Sequence, residues 1–287
     1  MPLTGIYGRL DRGVAISVIR AAMDFGINHF DTAERYGPYV NEQLLGEVVG
    51  SKYPEVKIAT KFGYKFKNGR KIGLDSRPVA IRKSIEGSLR RLRREQIDLL
   101  YQHRVDPSVP IEDVVGTMAM LLTEGKVASL GLCSVDVATL SRAQRIHPIS
   151  AVQNEYSLLQ RAAESVVAAT GELGIAFVAH SPLARGILSG NALPTEERGL
   201  DDYRINDDRF LRPRLVEVNS RLRPLWDIAR KLTVPPTAVA LAWLLKKSPH
   251  IQAIPGARSI PQLVTSISAT TLQLSAEDFA QLDMCCS

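Results

Sequence analysis

The sequence predicts an α/β fold, a parallel (β/α)8 barrel of the TIM type, and three observations carry that prediction. Short apolar runs beginning at residues 27, 56, 97, 127, 150, 175 and 251 alternate with stretches of helical spacing, the signature of βαβ units and a parallel sheet. Three successive runs end on a chemically active side chain: Asp31, then Lys61, then His103, with Tyr36 in the Gly-closed loop after Asp31. In a parallel barrel the C-terminal strand ends converge on one face, where such barrels carry their chemistry. Finally, 287 residues at 45% hydrophobic suffice to bury one core, so the chain is expected to form a single domain over residues 1–287.

The elements follow in order. The first strand, 27–30, leads to a short helix at 41–49. The strand at 56–60 precedes a helix at 78–93 whose apolar positions Ile81, Ile85, Leu89 and Leu92 recur at intervals of four, four and three. The strand at 97–102 is followed by a helix at 111–123, closed by Gly125. Next come a strand at 127–133, a helix at 137–145, a strand at 150–153, a helix at 162–173 stopped at Gly174, and a strand at 175–180. After a polar loop, helices are expected at 215–232 and 237–247, then a last strand at 251–254 and a final helix at 276–282. Those are seven strands, and a closed barrel of this kind has eight. Residues 1–5 read as the trailing end of the remaining one, so the first strand is expected to be missing or shortened. The two barrel edges left unpaired would invite self-association; the oligomeric state is otherwise open.

Composition narrows the function classes. No apolar run approaches a membrane span and no signal-peptide core is present at the N-terminus, so no membrane partner is expected. The three cysteines, Cys133, Cys285 and Cys286, suggest no disulfide framework and fit a reducing cytoplasm. The net charge of +6 is compatible with an anionic ligand. The densest basic stretch, Arg90, Arg91, Arg93 and Arg94, is expected to end its helix facing water, where it complements the dipole. With no aromatic residues interleaved, it points to no nucleic acid. His29, His147 and His250 are scattered, with no metal-ligand spacing.

The strings FDTAERYG (30–37), TKFG (60–63), YQHRVDP (101–107), VQNEYSLL (152–159), HSPLARGILSG (180–190) and IPGARS (254–259) stand in register with the strand ends. Together they resemble the aldo-keto reductase superfamily, most closely its auxin-induced-protein-type branch, over residues 8–282. The resemblance implies a (β/α)8 barrel, NADPH as cofactor and reduction of a small-molecule carbonyl substrate, with Asp31, Tyr36, Lys61 and His103 as the catalytic tetrad. The chemistry is consistent with those side chains. Reducing a carbonyl by hydride leaves an alkoxide that needs a proton donor within hydrogen-bond reach. A phenol titrates near pH ~10, so Lys61 is expected to draw Tyr36 towards phenolate, with Asp31 holding the ammonium in place.

The resemblance also implies a cofactor face. Cys133 and Ser134 stand where the family has a serine–asparagine pair for the nicotinamide carboxamide, and Gln153 matches the amide at the next strand end. His180 replaces the tyrosine that stacks on the ring. Ser181, Leu183, Arg185 and Gly186 belong to a loop that wraps the pyrophosphate, with Arg185 adding positive charge. Gly256, Arg258, Ser259 and Gln262 belong to the segment near the 2′-phosphate, while Thr265 and Ser266 depart from the family's adenine-holding pair. The chain ends soon after its last helix, so a long C-terminal loop over the pocket is not expected. Two other readings share the same residues: a nucleotide-sensing subunit of the potassium-channel β type, or an inactive shortened relative.

Overall fold

The computed structural model describes residues 3–285; Met1 and Pro2, like the expected Cys286 thiol, lie outside them. The strands are β1 (His29–Asp31), β2 (Lys57–Phe62), β3 (Tyr64–Lys67), β4 (Arg70–Leu74), β5 (Leu99–Gln102), β6 (Leu130–Cys133), β7 (Ala151–Glu155), β8 (Ala176–His180) and β9 (Ile251–Ala253). The helices are α1 (Arg12–Asp24), α2 (Val40–Val48), α3 (Pro78–Leu92), α4 (Ile111–Thr123), α5 (Val137–Gln144), α6 (Glu164–Glu172), α7 (Arg212–Arg221), α8 (Arg223–Leu232), α9 (Pro236–Lys247), α10 (Ile260–Ser268) and α11 (Ala276–Cys285).

All seven expected strands join one parallel sheet in the order β1-β2-β5-β6-β7-β8-β9. Among the described residues no strand links β9 back to β1. The helical layer closes nonetheless, because α1 packs against both α10 and α2. The N-terminal segment is tied down without forming a strand. Leu3 is buried in the main core, and its N–H donates to Asn41 Oδ1 at 2.9 Å. Further on, Tyr7 bridges antiparallel to Asp202.

The buried strands are apolar because both faces are covered: every residue of β6, Leu-Gly-Leu-Cys, is buried. Gly131 is required there, since a Cβ at that position would lie 2.5 Å from the Tyr101 ring. Gly46 serves α2 in the same way: a Cβ would lie 2.1 Å from the Arg91 carbonyl oxygen, so the two helices could not approach.

Four features differ from the sequence expectation. Helices α1 and α10 were not anticipated, although Asp11 caps α1, whose buried face is Ala15, Val18, Ile19 and Ala22, and Ser259 caps α10. The antiparallel hairpin β3–β4, turning at Asn68 and Gly69, inserts directly after β2. The helix expected at 215–232 is two, α7 and α8, broken at Leu222. Pro224 has no N–H to continue the ladder, and its ring would clash with the preceding turn. Arg91 and Arg94, expected to face water, are structural: Arg91 pairs with buried Glu42 at 2.7 Å, and Arg94 donates to the Tyr53, Pro54 and Val56 carbonyls at 2.7–3.2 Å. No helix of the described residues is long and apolar enough to cross a membrane.

Candidate active site

The parallel register sets Asp31 at the end of β1, Lys61 near the end of β2 and His103 directly after β5. Lys61 is 1% exposed and forms a close ion pair with Asp31 Oδ1. Its Nζ also donates to the Thr32 carbonyl at 2.8 Å and lies 5.5 Å from the centre of the Tyr36 ring. Tyr36 in turn meets His103 edge to face, with ring centres 6.2 Å apart. The four expected residues therefore come together at one barrel mouth. Gln153 belongs to the same network, its Nε2 donating to Asp31 Oδ2 at 2.9 Å.

Burial sets the protonation states. It would favour neutral Asp31 and neutral Lys61, but their mutual attraction outweighs it: the carboxylate is held below its ordinary range and the ammonium above. For Tyr36 the balance goes the other way. Burial pushes the phenol up to about 12, more than Lys61 pulls it down. The expected drift towards phenolate does not occur; the group is a protonated donor at neutral pH. His103 is held well below 6.5, first by burial and then by the charges of Lys61, Arg104 and Arg35, so its imidazole is neutral.

Sequence reasoning missed Glu34, which shares the loop with Tyr36. This buried carboxyl accepts from the Gly63 and Tyr64 N–H groups at 3.1 and 3.3 Å and from Ser84 Oγ at 2.5 Å, fastening the catalytic loop to the root of the β3–β4 hairpin. Burial, with Glu42 adding to it and Ser84 opposing, pushes Glu34 up from 4.5 to about 7. An acid raised on folding adds stability that is complete below pH 4.5 and lost as pH rises through about 7. That gap corresponds to roughly 3 kcal/mol. We therefore expect Glu34→Gln to gain in melting temperature relative to wild type as pH rises from 4.5 to 7.5. A constant difference across thermal melts would show that Glu34 does not titrate in that window.

The cofactor face shows where the remaining expected residues go. Cys133 and Ser134 end β6, and Arg104, a second residue missed from sequence, holds them: its Nη1 lies 2.6 Å from Ser134 Oγ and 3.4 Å from Cys133 Sγ. The Cys133 thiol is pushed up by burial. His180 ends β8 with Nδ1 3.3 Å from Ser181 Oγ, and its buried Nε2 has no partner among the described residues. Burial lowers this imidazole to about 4. The next loop is strained: Ser181, Ala184, Arg185 and Gly186 all take positive φ, from 47° to 104°. Such conformations gather at ligand clamps, and successive N–H groups in them form anion-binding concavities. Leu183 lies within that run.

Two arginines are occupied otherwise than expected. Arg185 pairs with Asp207 at 2.5 Å and lies over the Tyr203 ring, so its charge is offset within the covering loop. Arg258 donates to the backbone carbonyls of Tyr7, Gly8 and Arg9, strapping the N-terminal segment to the end of the barrel. Beyond Gly256, Ser259 caps α10 by accepting from the Gln262 N–H, and Gln262 Oε1 accepts from the Arg258 N–H at 2.8 Å. The segment 256–262 is thus an ordered helix N-terminus of the kind that receives phosphate. An unpartnered ring nitrogen among the described residues beside a left-handed loop, with a capped helix start following the neighbouring strand β9, suits a dinucleotide. No group of three potential metal ligands occurs among the described residues.

Comparison with known proteins identifies the family and the fold. The family model for the aldo/keto reductase family matches residues 1–286. A probable aldo-keto reductase of Glycine max is 38% identical over 98% of this chain and 82% of its own length. A glycerol dehydrogenase of Gluconobacter oxydans superposes with a TM-score of 0.88 at 28% identity, over 99% of this chain and 88% of that one. An aldo-keto reductase of Klebsiella pneumoniae, solved with NADPH, shares the fold with a TM-score of 0.74 at 24% identity, over 95% of this chain and 84% of that one. With its sequence matched almost end to end, the chain belongs to the aldo/keto reductase family, whose members are oxidoreductases that use nicotinamide cofactors.

Proposed function

We propose that this protein reduces a small aldehyde or ketone to the alcohol with NADPH, using Tyr36 as general acid. The observation that carries the reading is the buried Asp31–Lys61 pair set beneath Tyr36, with neutral His103 at the edge of the same ring. Bound NADPH supplies the hydride. As the carbonyl oxygen gains negative charge, Tyr36 Oη hands it a proton and regains one from water. Lys61 favours the transient phenolate, Asp31 keeps Lys61 charged, and neutral His103 can donate to the same oxygen and orient it. The test is NADPH consumption across a panel of aldehydes and ketones. Binding of NADPH without turnover of any of them would sink the proposal.

Ser134, His180, the loop 181–186, Arg258 and Ser259 are proposed to hold the cofactor. Arg258 is the informative member, because a 2′-phosphate must displace the three backbone carbonyls it now serves. A charge-assisted contact is worth about 1.5–3 kcal/mol. Net of the contacts given up, Arg258→Ala is expected to weaken NADPH about tenfold and NADH little, as read by fluorescence titration. Equal weakening of both cofactors would confine Arg258 to strapping the N-terminal segment.

A further inference from the structure

The β3–β4 hairpin stands beside the catalytic mouth, since β3 begins two residues after the end of β2. Its first residue, Tyr64, meets His103 edge to face with ring centres 5.0 Å apart. Two cations lie close to that tyrosine's ring: the Arg35 guanidinium at 5.2 Å and the Lys71 ammonium at 5.1 Å from the ring centre. Phe66 pairs in register with Lys71, which places both on one face of the ribbon. Tyr64, Phe66 and Tyr39 continue as an aromatic wall, with neighbouring ring centres 5.5 and 6.4 Å apart.

The nearby acids are committed elsewhere. Asp75 takes Arg77 in a two-pronged pair at 2.7 and 2.9 Å, Glu42 takes Arg91, and Glu34 accepts from Ser84 and two backbone N–H groups. Asp106 accepts from Ser76 and Ser108. Arg35 and Lys71 therefore have no carboxylate partner among the described residues, although Arg35 is half-buried. Lys65, Lys67 and Arg70, exposed on the same hairpin, reinforce the field. A half-buried guanidinium and an ammonium close to one aromatic ring, with no carboxylate partner among the described residues, are poised for an anion.

From this placement we propose that the substrate is an anionic carbonyl compound. It is an aldehyde whose flat apolar body lies against Tyr64 and Phe66 and whose carboxylate is received by Arg35 and Lys71. The inference rests on the reductase reading above and names the substrate class for that site.

The experiment compares 4-carboxybenzaldehyde with its methyl ester, which differ in the one charge. We expect kcat/KM to favour the acid about tenfold at low salt, the scale of one partly exposed charge-assisted contact. The preference should shrink as ionic strength rises towards 0.5 M, because exposed charges are screened. Lys71→Gln, at an exposed hairpin position, should bring the ratio close to unity, and Lys71→Glu should invert it. Equal kcat/KM for acid and ester in the wild type, insensitive to salt and to both variants, would overturn the subsite. Calorimetric titration of the same two compounds reads the preference without turnover. Selective binding of the acid with no NADPH consumption would sink the reductase reading and leave the anion subsite standing. Equal binding of acid and ester would remove the subsite alone.

Discussion

Replacing Tyr36 with phenylalanine should lower kcat by about 10²–10⁴-fold, the usual contribution of a positioned general acid, while NADPH binds almost as before. The expectation follows from what the site offers a developing alkoxide. His103 is neutral and Lys61 is locked against Asp31, so the Tyr36 phenol, pushed up to about 12, is the protonated oxygen acid of the set. The same states fix the pH dependence. Between pH 6 and 9 the phenol stays protonated and the imidazole neutral, so kcat for reduction should be flat. Alcohol oxidation needs the phenolate, whose fraction grows about tenfold with each pH unit below that value, so its rate should climb across the same range. Wild-type kcat in the phenylalanine variant would remove Tyr36 from the role; a reduction rate that falls steeply between pH 6 and 9 would show that the acid titrates within that range rather than near 12.

The barrel and its mouth were legible in the sequence because β2, β5, β6, β7 and β8 are buried over most of their length. Their apolar residues form short runs, so the charge that follows one stands out, as Asp31 does directly after Phe30 and Lys61 two residues after Ala59. Helix α1 was legible in principle: Asp11 caps a run buried every third or fourth residue, a pattern the strand ends overshadowed. The β3–β4 hairpin carried its own signal, an Asn-Gly turn between alternating residues, disguised by the density of lysines. What no local pattern could disclose are the partners brought by the fold. Arg258 meets carbonyls some 250 positions away in the chain, and Arg185 meets Asp207 across the covering loop. Each looks like a free phosphate ligand until the chain is closed. The Tyr36 phenol was misjudged for a related reason: the pull of Lys61 can be inferred from spacing, whereas the desolvation that outweighs it depends on how tightly the mouth packs.

Removing the ammonium beneath Tyr36 should cost the protein its fold stability as well as its activity. Lys61 and Asp31 are both buried, with side chains 0% and 6% exposed. In Lys61→Met the Asp31 carboxylate would keep its other contacts, the Gln153 amide at 2.9 Å among them, but lose the Lys61 charge. Breaking a buried ion pair by removing one member typically costs about 3–5 kcal/mol. The loss should be relieved at acid pH, because protonating Asp31 removes a charge that Lys61 no longer balances; its carboxyl, without the pull of Lys61, will titrate above its wild-type position. The discriminating variant is Asp31→Asn combined with Lys61→Met. With no charge left in the pair, it should recover most of the stability lost by the single lysine variant. Its activity should stay as low, because nothing remains to favour the Tyr36 phenolate. Chemical denaturation of the four proteins in the cycle reads the stability term, and NADPH consumption reads the other. A double variant as unstable as Lys61→Met would show that the lysine's stem, rather than its charge, supports the barrel. A double variant with wild-type kcat would show that the buried pair plays no part in the chemistry.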